Sequence, residues 1–122
     1  MHRAAIAFVA AMSAAALGSS GAAAADWPSK PVRVIVAYSA GGANDLLARV
    51  FADQLGKTFG QQFIVENRTG GSGLIGTEAV ARAAPDGYTL QASGMPSHVL
   101  APAMNKNANF DPMRDFTHIA YL

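Results

Sequence analysis

The chain has 122 residues, no cysteine and a formal charge of +1, from nine Lys+Arg against eight Asp+Glu. The missing cysteines exclude a disulfide scaffold, a thiolate metal site and a cysteine nucleophile. The near-balance of charge excludes a basic surface of the kind that attracts nucleic acid or an anionic membrane face.

His2 and Arg3 precede an uncharged apolar run, Ala4 to Leu17, and small residues close on Ala23-Ala24-Ala25 just before Asp26. Basic start, apolar middle and small-residue exit are the parts of a secretory signal peptide cleaved near Ala25. The run is shorter than the roughly 20 apolar residues a membrane span needs, and alanine is only weakly hydrophobic. Export is therefore expected, and loss of Arg3 with the leader brings Lys+Arg level with Asp+Glu.

Asp26 to Pro31 is an irregular lead-in, its prolines keeping it out of helix and sheet interior. Val32 to Tyr38 is a β-branched run, the composition of a strand buried on both faces. It breaks at Ser39-Ala40-Gly41-Gly42, and Asn44 and Asp45 then suit a helix start. The helix is expected over Asn44 to Phe59, with Leu47, Phe51, Leu55 and Phe59 as an inward stripe beside Leu46 and Val50. Gly60 stops it.

Gln62 to Glu66 is the second strand, and Asn67 to Gly73 a second glycine-rich turn. A helix follows from Leu74 to Ala84, with Ile75, Ala79, Val80 and Ala83 inward, and Pro85-Asp86-Gly87 ends it. Tyr88 to Ser93 is the third strand, with a third small-residue turn at Ser93-Gly94. A short helix is expected over Pro96 to Met104, then loop to Arg114. The run Phe116 to Leu122 reads as a last strand, so more of the sheet is expected beyond this chain.

The order βαβαβ(α)β with short connections implies an α/β fold with parallel strands. All three small-residue turns then lie at the carboxyl edge of one sheet, where open α/β sheets bind ligands. Backbone N–H groups and helix starts there suit an anion.

Gly71-Ser72-Gly73-Leu74-Ile75-Gly76 fits G-x-G-x-x-G after a strand and at a helix start. It follows the second strand, however, and the next strand ends Ala92-Ser93-Gly94 without the acid that would hold a ribose. An exported protein also meets little soluble nicotinamide cofactor. No cofactor is expected, and these glycines read as sites of close backbone approach.

Of the G-x-S-x-G of a nucleophile elbow, Ser72 lacks the final glycine and Ser93 lacks the first and the last. His98 is the one histidine near the functional edge, and no histidine or carboxylate pair has metal-ligand spacing. Asp45 in a first helical turn is accounted for by the helix dipole, and it can face a ligand as well. What remains is a cluster of backbone donors and small hydroxyls suited to reversible capture of a small carboxylate.

Tyr38-Ser39-Ala40-Gly41-Gly42-Ala43-Asn44-Asp45, Val65 to Gly76, Ala83 to Leu90 and Asn109 to Phe116 together resemble the Bug proteins. These are the extracytoplasmic solute receptors of tripartite tricarboxylate transporters. The resemblance covers everything after the leader. It implies the βαβαβ start of the first lobe of a two-lobed, type II-like periplasmic binding protein, with residues 26–122 an incomplete part of that lobe.

The resemblance also implies a ligand carboxylate between the lobes, held by the first two strand–helix loops largely through backbone and ordered water. The site residues would be Ser39, Ala40, Gly41, Gly42, Asn44 and Asp45, then Thr69, Gly70, Gly71, Ser72 and Gly73, with Ser93 from the third turn. Ala40 stands where the family often has proline. The partners implied are a small carboxylate and the transporter's membrane permease subunits, with no nucleic acid, the complete protein being a periplasmic monomer and not an enzyme. Two other readings stand beside it. One is an exported α/β enzyme using the glycine turns for a phosphorylated or acyl substrate; the other is a remnant without independent function.

Overall fold

The computed structural model describes residues 26–121; the leader and its cleavage point lie outside the described residues. Strand β1 spans Val32–Val36, helix α1 Ala43–Phe59, β2 Phe63–Asn67, α2 Leu74–Ala81 and β3 Thr89–Ala92. A wide π-type turn, Pro96–Leu100, runs on into a last helical turn, α3, Ala101–Met104.

The three strands form one parallel sheet in the order β2-β1-β3. β1 is central, pairing Val34 with Val65 on one side and with Leu90 on the other. Parallel strands need a crossover, and the helices that supply it cover the faces. Val32, Val34 and Val36 point to one face, against Ala48 and Ala52 of α1 and Phe63. Alternation sends Ile35 and Ala37 to the other face, where Gly76 of α2 comes close. Val32, Ile35 and Val36 are essentially inaccessible; each such side chain contributes about 1.5–3 kcal/mol. A satellite cluster of Leu74, Ala101 and Phe110 closes the α2 side.

Both turns at the ends of α1 have local causes. Gly42 is extended at the start, and Gly60 at the end takes the left-handed conformation, φ +67°, donating its N–H to Gly56 O. Arg33 ties β1 to β2 through a two-pronged contact with Glu66, at 2.6 and 2.8 Å. The arginine holds the Glu66 carboxyl below its ordinary value, through its hydrogen bond first.

Three expectations change. α1 buries its large apolar stripe only at Leu55, which packs on the core: Leu46, Leu47 and Val50 are more than half exposed, and the fully buried positions are Asp45, Ala48 and Ala52. The alanines let the helix approach the sheet closely, and Asp45 is hydrogen-bonded on that same side. α2 is rotated likewise, with Leu74, Gly76 and Thr77 buried and Ile75 exposed, and it ends at Ala81 instead of Ala84. The run from Phe116 forms no strand among the described residues. Neither edge of the sheet pairs with it, and Phe116 packs edge-on against Phe110 and His98 instead.

Candidate functional site

The loops after β1 and β2 emerge side by side at the carboxyl edge, because Val36 and Asn67 are register partners at the strand ends. Between them lies a cleft of about 280 Å³. Of the residues singled out in the sequence, Ser39, Thr69, Gly70, Ser72 and Gly73 line it, together with Ala37, Tyr38 and Pro96. No charged side chain is among these.

Loop two is built from unusual backbone. Gly70, Gly71 and Gly73 have φ of +122°, +55° and +91°, and Ser72 itself is left-handed at +58°. Successive residues of this kind turn their N–H groups outward instead of into a helix or ladder. Gly73 N–H returns to Gly70 O, while those of Thr69, Gly70, Gly71 and Ser72 have no acceptor among the described residues. On loop one the N–H groups of Ala40, Ala43 and Asn44 are likewise unpaired, the latter two opening α1.

The remaining expected residues lie around this rim. Ala40, Gly41 and Gly42 are exposed on loop one, and Gly42 N–H turns back toward Ser39 O at 3.5 Å. Asn44 is half-buried beside Gly94. Ser93 is exposed and does not line the cleft.

Asp45 is 2% exposed and turned inward. Its Oδ2 accepts from Gly41 N–H at 2.8 Å and Arg49 Nε at 3.1 Å. Its Oδ1 accepts from Asn67 Nδ2 at 2.8 Å. Arg49 first, then the Gly41 and Asn67 donors, lower its carboxyl to about 2 from the ordinary 3.8. Asn67 Nδ2 also donates to Tyr38 O at 3.0 Å.

Three contributors escaped the sequence reading. Tyr38 OH accepts from Ser97 N–H at 2.9 Å and so carries the third turn to the cleft. Ser97 is wholly buried. Asn67 joins the two loops; the available signal was a polar residue at the end of an apolar strand, on the edge already singled out. His98 stands apart from the cleft, its Nε2 3.2 Å from that of His118.

A parallel sheet with two glycine loops facing a cleft at its carboxyl edge is an α/β lobe with its cleft where open sheets of this kind bind ligands. Residues 47–122 match the model of the "Tripartite tricarboxylate transporter family receptor", and the chain belongs to that family. A UPF0065 protein of Bordetella bronchiseptica is 43% identical over 105 residues, covering 86% of this chain and 31% of that protein. The periplasmic binding protein BugD superposes with a TM-score of 0.66 at 39% identity, over 74% of this chain and 30% of that one. MatC from Rhodopseudomonas palustris, solved with bound malate, gives 0.70 at 36% identity, over 75% and 31%. The chain thus spans about three tenths of the length of these proteins.

Proposed function

We propose that this chain is the opening part of a periplasmic receptor that captures a small carboxylate and hands it to the membrane subunits of a tripartite tricarboxylate-type transporter. The leader up to Ala25 would direct export and be cleaved. The observation that carries the reading is the uncharged cleft between loops one and two, whose lining residues Thr69, Gly70 and Ser72 have unpaired N–H groups, with those of Ala40, Asn44 and Gly71 in the same two loops. Such donors bind an anion without a fixed cation, which favours release as well as capture. The ligand bound in MatC is malate, a dicarboxylate, and the same class is proposed here. Di- and tricarboxylates, aromatic acids and amino acids all present the carboxylate that the cleft would hold, directly and through water. The chain is proposed to act as a binding module without catalysis and, when complete, as a monomer.

A thermal-shift panel of malate, other di- and tricarboxylates, aromatic acids and amino acids tests this. A ligand at a hundredfold excess over Kd stabilises by about 2.7 kcal/mol, which raises Tm by roughly 10–20 °C in a domain of this size. No shift with any of them overturns the proposal.

A further inference from the structure

We infer that Asp45 is a positioning residue of this site, a buried buckle that holds the two binding loops in mutual register and leaves ligand contact to the backbone around it. The inference rests on the receptor reading. Every hydrogen-bonding direction of the carboxylate found occupied leads to something other than the cleft: Gly41 N–H in loop one, Arg49 one helical turn along α1, and Asn67 at the end of β2. Asn67 in turn grips Tyr38 O, where β1 leaves the sheet, and receives Arg49 Nη2 on its Oδ1 at 3.2 Å. One carboxylate therefore spans the base of loop one and the base of loop two, immediately beneath their unpaired N–H groups.

Two features separate this from a general structural role. Gly41 is exposed and sits at φ +85° with nothing within 4 Å of where a Cβ would stand. The bond to Asp45 is what orients that peptide, and with it the exposed Ala40. In addition, a negative charge behind an anion site opposes binding, and Arg49 beside it offsets that charge only in part because it is half exposed. Retaining a carboxylate here makes sense if its geometry matters more to the site than its charge costs.

The two effects have opposite signs in Asp45→Asn. Loss of the charge alone would tighten anion binding. Loss of the buckle would weaken it, since an amide keeps one acceptor and sets its NH₂ against a donor from either Gly41 and Arg49 or Asn67.

The test is calorimetric titration of the full chain with malate and with citrate, for wild type, Asp45→Asn, Asn67→Ser and the double variant, with melts and amide exchange alongside. Binding in Asp45→Asn should weaken by roughly tenfold or more, and exchange of the Gly41 amide should accelerate. Asn67→Ser should weaken binding less, and the double variant should bind no worse than Asp45→Asn, because both act through one device. Equal or tighter binding by Asp45→Asn, or losses that simply add, overturns the inference and leaves the receptor reading standing. Where wild type ignores malate and citrate, the panel acid that shifts its melt most takes their place; absence of binding of every panel acid overturns the receptor reading, and this inference with it. Should Asp45→Asn not fold, Asn67→Ser decides alone, and unchanged affinity there refutes the coupling.

Discussion

Gly73 lies where loop two meets the third turn, and replacing it with alanine separates two physical costs. Its φ is +91°, and a Cβ would overlap Ser97 Cβ while standing 3.3 Å from Ala37 Cβ and from Ser97 Cα. Ser97 cannot retreat, being wholly buried and held at its N–H by Tyr38 OH. Left-handed backbone costs a non-glycine residue about 1–2 kcal/mol. Overpacking a tight interior adds about 1–3 kcal/mol, so Gly73→Ala should lose about 2–5 kcal/mol in all. Gly41 provides the control, with φ +85° and open space around it, so Gly41→Ala should lose the strain alone. In thermal melts each kcal/mol lowers Tm by about 4–8 °C for a domain of this size. Gly73→Ala should therefore melt at least ~4 °C below Gly41→Ala. Equal losses would refute the reasoning, because they would leave no role for the contact with Ser97.

The rotation of α1 is checked by a pair of substitutions. Ala48→Leu should cost about 1–3 kcal/mol in urea unfolding through overpacking, while Leu47→Gln should stay within about 0.5 kcal/mol; the reverse order would restore the expected stripe. His98 is held below its ordinary value of 6.5 by burial first and by His118 second, against the Pro112 carbonyl. A histidine lowered in this way keeps its contribution in full above 6.5 and loses it as pH falls through that value, because the unfolded chain takes up the proton first. Melts should thus show lower stability at pH 5.5 than at 7.5, with the difference reduced in His98→Gln; an unchanged difference in that variant would assign the effect elsewhere.

The order of elements along the chain and the type of connection were readable because they rest on signals that act over a few residues. Val32 to Val36 is β-branched at every position but Arg33, and Gly60 can end a helix in a conformation other residues avoid. The faces of the helices were not readable in the same way. In α1, periodicity marked Leu47, Phe51 and Leu55 as one stripe; Leu55 does pack on the core, but Ala48 and Ala52 lie about a hundred degrees round from Leu47 and Phe51 and fit the sheet more closely. Hydrophobicity ranks leucine above alanine; the distance between helix and sheet reverses that order here. The run from Phe116 failed for a related reason. Its β propensity expresses fit to a neighbouring strand, and among the described residues no strand stands beside it.

The site divides along the same line. That Ser39, Thr69, Gly70, Ser72 and Gly73 line the cleft was legible because glycine and small residues after a strand mark exposed backbone at the carboxyl edge. Asp45 could be found but its direction could not. From the sequence it stands in the first turn of a helix, where a carboxylate stabilised by the dipole and one facing an anion look alike. Only the register that brings Asn67 opposite Val36 places an amide donor within 2.8 Å of Oδ1 and turns the carboxylate inward. That register depends on a pairing between segments more than thirty residues apart, and no local pattern contains it. The same pairing makes the two loops adjacent, so what hides the role of Asp45 from the sequence is also what assembles the cleft.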